Sequence, residues 1–212
     1  MTTTSSITFR DTVTTLEQLR EIVPVPNAAI NKEIDVVDEH ARAFIARSPF
    51  ALLATSSAAG RCDVSPKGDQ PGFVQVLDEH TIVIPDRPGN QRADSLQNIL
   101  ENPHVGMLMI IPGVEWTLRL NGRATIIRDA DVLARSAVNG KAPVLGIAVQ
   151  VEELYLHCPK CFIRARLWDE TQWMPADEQP SWAAILRDHT NLQSVPLDAF
   201  GRALDESNTK LY

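Results

Sequence analysis

Residues 50–56, Phe50-Ala51-Leu52-Leu53-Ala54-Thr55-Ser56, run into Ala58-Ala59-Gly60 and then into Arg61-Cys62-Asp63-Val64-Ser65. Apolar and β-branched residues on both sides of a small, glycine-bearing turn predict a β-hairpin. The same design follows directly: residues 73–77 and 81–85 are two further short apolar runs, separated by Asp78-Glu79-His80. Connections this short leave no room for a crossover helix, so the four runs predict an antiparallel meander.

Working outward, residues 105–111 form a continuous apolar run suited to a buried central strand and end at Pro112-Gly113. Residues 116–120 and 123–128 are strand-like and flank Asn121-Gly122, a strong tight-turn signal to which a bulge inside a strand at Gly122 comes a near second. Between the strands, residues 92–102 place Leu96, Ile99 and Leu100 on one helical face and stop at Asn102-Pro103. Residues 131–138 predict a short helix closed by Gly140, and residues 145–157 a long final strand. Seven or so antiparallel strands with short helices between them predict a mainly β fold, a closed or nearly closed β-barrel with peripheral helices.

The barrel region, residues 50–157, is flanked on both sides. In the lead-in, residues 1–49, Thr14 and Thr15 stand three residues before Glu17 and Gln18, a double capping-box signal. Leu16, Leu19, Ile22 and Val23 then share a helical face as far as Pro24. Residues 24–33 carry Pro24, Pro26 and Asn27, after which Ile34, Val37, Ala41 and Phe44 repeat at helical spacing until Ser48-Pro49. The C-terminal segment, residues 158–212, holds Trp168, Trp173 and Trp182 among prolines and reads as helices packed on the barrel or on a second subunit. With no internal repeat, residues 1–212 are taken as a single domain.

Composition narrows the function classes. A chain of 212 residues with 44% hydrophobic and 22% charged residues matches ordinary globular proteins. A net charge of −7 argues against nucleic-acid or anionic membrane partners, which reward basic surfaces. Residues 1–6 lack the basic and apolar regions of a secretory signal, and runs such as residues 106–112 are too short to span a bilayer, so a cytoplasmic location is expected. Cys62, Cys158 and Cys161 are odd in number and are expected as reduced thiols.

Two polar stretches carry the candidate chemistry. Ser65-Pro66-Lys67-Gly68-Asp69, taken alone, is an ordinary solvated turn. The second, residues 85–92, brings Asp86, Arg87, Asn90 and Arg92 to a helix start that also offers Ser95. A helix N-terminus favours an anion by about 0.3–1 kcal/mol. Charge-assisted bonds from Lys67 and Arg92 would each add about 1.5–3 kcal/mol, so together the stretches form a phosphate cradle.

Cys158-Pro159-Lys160-Cys161 invites a dithiol reading, yet such motifs follow an early strand of a βαβ unit rather than the last strand of a meander. Zinc wants four ligands, and His157, Cys158 and Cys161 supply three, so no metal site is assigned. Arg164 and Arg166 suit surface charges and, lying close in sequence to His157 and Lys160, suit cofactor contacts equally. Neither a Gly-x-Ser-x-Gly elbow nor a Gly-x-Gly-x-x-Gly or P-loop motif is present, and no catalytic acid or base is named.

As a set, residues 50–55, Asp63-Val64-Ser65-Pro66-Lys67-Gly68-Asp69, Ile84-Pro85-Asp86-Arg87-Pro88-Gly89-Asn90 and Asn98-Ile99-Leu100-Glu101-Asn102-Pro103 resemble the pyridoxamine 5′-phosphate oxidase-like, FMN-binding split-barrel proteins. The likeness covers roughly residues 10–175 and is strongest to a bacterial subgroup whose last strand runs into His-Cys-Pro-Lys and Arg-Leu-Trp. It implies a six-stranded antiparallel split barrel and a homodimer with two FMN sites at the subunit interface. Carried over, the phosphate falls to Lys67 and to Arg92 with Ser95, with Ser65, Asp86 and Asn90 beside them. His157, Lys160 and Arg166, near Tyr155, would address cofactor or substrate from the other subunit.

The chain also departs from the family's pattern. True pyridoxamine phosphate oxidases resemble Arg-Leu-His where this chain has Arg166-Leu167-Trp168, which removes a substrate-facing histidine, and the loop over residues 86–92 is longer. The resemblance thus implies an FMN-dependent oxidoreductase of unknown substrate. The alternative is a non-catalytic split-barrel binder or carrier of FMN, a deazaflavin or a tetrapyrrole.

Overall fold

The structure, a computed structural model, describes residues 7–24 and 32–212. The polar opening and all but the ends of the proline-bearing segment over 24–33 lie outside the described residues. Contacts group the chain into two compact units, residues 1–32 and 33–212. In the first, α1 (Leu16–Ile22) starts where the capping signal places it. Thr15 Oγ1 accepts the Gln18 N–H at 3.3 Å, and Gln18 Oε1 accepts the Thr14 N–H at 2.9 Å.

The second unit is built on a seven-stranded antiparallel sheet. Its strands are β1 (Phe50–Ser56), β2 (Cys62–Gly68), β3 (Gln75–Val76), β4 (Thr81–Pro85), β5 (His104–Ile110), β6 (Thr117–Ile127) and β7 (Gly146–His157). The order across the sheet is β2-β1-β5-β6-β7-β4-β3. Each expected hairpin forms, but the two do not join into one meander: β1–β2 and β3–β4 stand at opposite ends of the sheet. Among the described residues no hydrogen-bonded ladder links edge strands β2 and β3, so the sheet is open. A mainly antiparallel sheet with peripheral helices fits a split barrel. It counts seven strands rather than six, β3 being a two-residue ladder on β4.

Alternation along the strands builds the core. Ala51 and Leu53 of β1, Ile82 and Ile84 of β4, Met107 and Met109 of β5, Leu118 and Leu120 of β6, and Ile147 and Val149 of β7 are buried. Helix α2 (Glu39–Ile45) adds Ala41 and Ile45 to that core. It begins five residues later than the apolar spacing from Ile34 suggested, because Asp38 Oδ1 accepts the Ala41 N–H at 2.8 Å and sets the cap there. Ile34 instead pairs with Leu154 of β7.

Two strands differ from their sequence reading. Ser65-Pro66-Lys67-Gly68 is not a loop: β2 continues through it, with Leu53 opposite Ser65 and Ala51 opposite Lys67. Pro66 is tolerated because β2 is an edge strand, where one side of the backbone needs no partner. Asn121-Gly122 is not a turn: β6 runs straight through, and the register with β7 jumps from Glu153 to Val151 between these two residues. Any side chain at Gly122 would collide with the Gln150 carbonyl, which is why glycine stands at the bulge.

Helix α3 (Asp94–Glu101) lies between β4 and β5. Its buried stripe is Ser95 and Ile99, with Leu96 packed against the core. Asn98 Nδ2 donates to Thr55 Oγ1 at 3.0 Å, and Asn102 Nδ2 to Ser56 Oγ at 2.8 Å, fastening the helix to β1. Leu100 falls about 100° round from Ile99 and is exposed, contrary to expectation.

A short helix, α4 (Ala130–Leu133), continues as a 3-10 turn (Ala134–Ser136) before β7. After β7 come α5 (Lys160–Ala165), two 3-10 turns, α6 (Trp182–His189) and α7 (Leu197–Asn208). The C-terminal segment is tied to the sheet region by Trp168 Nε1, which donates to the Val114 carbonyl at 3.0 Å. Among the described residues no helix is long and apolar enough to cross a membrane.

Candidate functional site

On β2 the half-buried residues are Asp63, Ser65 and Lys67, all on the inner side, while Cys62, Val64, Pro66 and Gly68 are exposed. Opposite this inner row run residues 86–93 and the start of α3. Together they enclose a cavity of about 220 Å³ lined by Ser65, Lys67, Asp86, Asn90, Ser95 and others. Five of the nine expected cofactor-binding residues thus face one space. Lys67 Nζ lies 3.8 Å from Asp86 Oδ1, both side chains partly shielded from water.

The backbone strengthens the cavity's appetite for an anion. Ala93, the residue before α3, has φ 56° and no side-chain oxygen, so the first-turn N–H groups have no side-chain cap. Gln91, at φ 59°, is also left-handed. Ser95 contributes differently from expectation: its Oγ donates to Asp63 Oδ2 at 3.1 Å and pins α3 to β2.

Arg92 does not join Lys67. Its guanidinium Nε donates to Asp94 Oδ2 at 2.8 Å, and its side chain is 70% exposed. It lines a separate polar cavity with Arg61, Asp63, Gln97, Asn98 and Glu101. The hydrogen bond and charge of Asp94 raise its pKa further. The turn at Gln91 and Ala93, unreadable from side-chain types, sends it there.

The arginine at the cavity wall is Arg87, which sequence reasoning noticed but had no signal to prefer. Its Nε donates to Asp69 Oδ2 at 2.6 Å and its Nη2 to the Ser136 carbonyl at 2.7 Å. Asp69 also accepts from the Tyr212 hydroxyl at 2.6 Å and the Gln70 N–H at 2.7 Å. Burial alone would raise the Asp69 pKa, but the bonds from Tyr212, Gln70 and Arg87 outweigh it and hold the carboxyl below its ordinary value. The same bond to Asp69, with burial, raises the pKa of Tyr212.

The remaining expected residues lie apart from this cavity. His157, at the end of β7, lines an apolar groove of about 350 Å³ with Leu52, Val64, Leu108, Arg119 and Phe162. Lys160 is exposed at the start of α5. Arg166, at φ 48°, closes that helix and sits 3.6 Å from Asp169. Neither lines the groove or the polar cavity. Cys62, Cys158 and Cys161 are free and exposed. Among the described residues no group of three or more His, Cys, Asp or Glu could hold a metal ion.

Residues 37–158, which span β1 to β7 and the cavity, match the family model described as pyridoxamine 5′-phosphate oxidase. A search of curated proteins found no match. Among solved structures, HupZ from Group A Streptococcus aligns at 17% identity and a TM-score of 0.45, covering 56% of this chain and 92% of its own. General Stress Protein 26 from Bacillus anthracis aligns at 14% identity and 0.43, covering 54% and 88%. HutZ, described as a heme storage protein, from Vibrio cholerae, aligns at 21% identity and 0.39, covering 57% and 93%. These likenesses concern the fold alone.

Proposed function

The chain belongs to the pyridoxamine 5′-phosphate oxidase family, and from that premise we propose that it binds FMN as a homodimer and works as an FMN-dependent oxidoreductase. One observation carries the reading. Ser65 and Lys67, on the inner row of edge strand β2, face the uncapped start of α3 across a single cavity. The donor set is a hydroxyl, an ammonium, an asparagine amide and free backbone N–H groups, which fits a phosphate ester. Asp86 beside Lys67 holds the ammonium in place and gives it up to a stronger acceptor.

Size supports an interface site. Pockets that enclose a drug-sized ligand measure about 300–1,000 Å³, whereas this cavity is about 220 Å³. It would hold the phosphate end of FMN, and the rest of the molecule would need a further wall. A second copy would supply that wall, and the apolar groove that holds His157 is the surface suited to the task. Bound FMN would supply the electron transfer. The chain's own residues hold the phosphate and exclude water from it.

The substrate reading also follows from this chain's own bonds. Trp168, at the position where the oxidases that give the family its name resemble histidine, spends its indole N–H on the Val114 carbonyl. Arg166 is turned to Asp169. Both therefore act as structural ties, which supports a substrate other than a vitamin B6 phosphate.

The visible spectrum of purified protein, followed by FMN titration with fluorescence readout, tests the reading. A flavin band and quenching of FMN fluorescence are expected. A Soret band, or colourless protein that leaves FMN fluorescence unchanged, overturns it. Reduction of the bound flavin by a reduced nicotinamide in stopped flow then separates an oxidoreductase from a carrier.

A further inference from the structure

The segment Asp86-Arg87-Pro88 is a partition with a cavity on each side. One side is the anion cavity with Lys67 and Ser65; the other is an apolar cavity of about 340 Å³ lined by Lys141, Leu145 and Tyr212. The main chain of the partition is bonded at one end, where the Asp86 N–H donates to the Leu145 carbonyl at 3.0 Å. Beyond it, the Arg92 N–H donates only locally, to Asn90 Oδ1 at 3.0 Å. What steadies the middle is the Arg87 side chain.

Arg87 is gripped from three directions: by Asp69, by the Ser136 carbonyl, and by the ring of Tyr212, whose centroid lies 5.5 Å from the guanidinium carbon. Tyr212 reaches Asp69 across 143 residues of sequence to make its 2.6 Å hydrogen bond. The Asp69 side chain is 2% exposed, so this contact closes over a carboxylate that water scarcely reaches. Tyr212 thus acts on both members of the ion pair at once, by hydrogen bond on the anion and by cation–π contact on the cation.

We propose that Tyr212 is a positioning residue of the anion cavity: it locks the Arg87–Asp69 pair and so fixes the Asp86–Asn90 wall against which a phosphate-bearing ligand binds. The identity of the ligand rests on the FMN reading; the lock itself does not. Seating of Tyr212 and occupation of the cavity reinforce each other, since each favours the same wall conformation, and linkage makes the effect reciprocal. A tyrosine that merely tethered the C-terminal segment would leave the wall as it is.

Hydrogen–deuterium exchange on the full chain without ligand, with FMN and inorganic phosphate as binding probes, tests the lock. In Tyr212→Ala, exchange of the amides over residues 86–93 rises by about tenfold, and FMN and phosphate weaken by a similar factor, because a charge-assisted bond and its ordering effect are lost. Tyr212→Phe keeps the ring over Arg87 and falls between wild type and Tyr212→Ala. Lys67→Ala, which removes only the partly shielded 3.8 Å contact with Asp86, weakens the probes but raises exchange over 86–93 far less than Tyr212→Ala does. Unchanged exchange in Tyr212→Ala, or a rise spread evenly over the whole chain, overturns the proposal. If wild type binds neither probe while Tyr212→Ala still loosens residues 86–93, the lock stands and the FMN reading falls.

Discussion

The two faces of β2 differ in polarity and in how far each is enclosed. Its inner side carries Asp63, Ser65 and Lys67 into a cavity finished by α3 and the loop before it. Its outer side carries Val64, 59% exposed, into an apolar groove with Leu52, Leu108 and Phe162. Strand geometry alone separates them, since neighbouring side chains point to opposite faces. The difference lies in completeness. The polar cavity already has walls, donors and a helix start, all from one chain. The groove is apolar and open to water, the condition of a surface made to be covered.

Four measurements test that contrast. The largest effect is expected from Lys67→Ala, which removes the ammonium from the inner face. Loss of a charge-assisted contact of about 1.5–3 kcal/mol lowers FMN affinity about 10- to 100-fold by fluorescence titration. A loss under about threefold, well below what such a contact supplies, would end the case for the inner face. Next comes Val64→Lys on the outer face, which places a charge in the groove. Light scattering should show the mass of the proposed dimer in the unsubstituted chain and of the monomer in the variant, while binding of inorganic phosphate holds within about threefold, since the inner face is untouched. A persisting dimer would assign the subunit contact elsewhere.

Ser95→Ala tests the tie between helix and strand. Losing the bond to Asp63 costs about 1 kcal/mol and lowers Tm by about 2–4 °C for a chain of this size. An unchanged Tm by calorimetry would make the bond dispensable. The smallest effect is expected from Arg92→Ala: the side chain is exposed and paired with Asp94, and surface pairs contribute about 0–1 kcal/mol, so FMN affinity changes less than about fivefold. A loss as large as that of Lys67→Ala would draw Arg92 into the cavity after all.

What could be read in advance follows from where the information lies. β1 and β4 were legible to the residue, because short apolar runs and the turns beside them are local. The run through Ser65-Pro66-Lys67-Gly68 was not: a proline and polar residues mimic a loop, and only the edge position beside β1 makes them a strand. At Asn121-Gly122 the turn and the bulge could not be told apart for the same reason, since the residue that demands glycine is Gln150 on another strand. In the candidate site, Ser65 with Lys67, and Asp86 with Asn90, could be grouped in advance because each pair lies within one short polar stretch of sequence. The choice between Arg87 and Arg92 depends on two left-handed residues and on partners at Asp69, Ser136 and Tyr212, which no local pattern encodes.

Pro66 has a consequence beyond tolerance. An edge strand offers unpaired amides to any extended chain that drifts past, and that invitation is the usual start of strand-by-strand aggregation. With no N–H at Pro66, an incoming strand meets a missing rung midway along β2. The edge beside the cavity is therefore a poor template for a further strand, although it stands uncovered in the sheet.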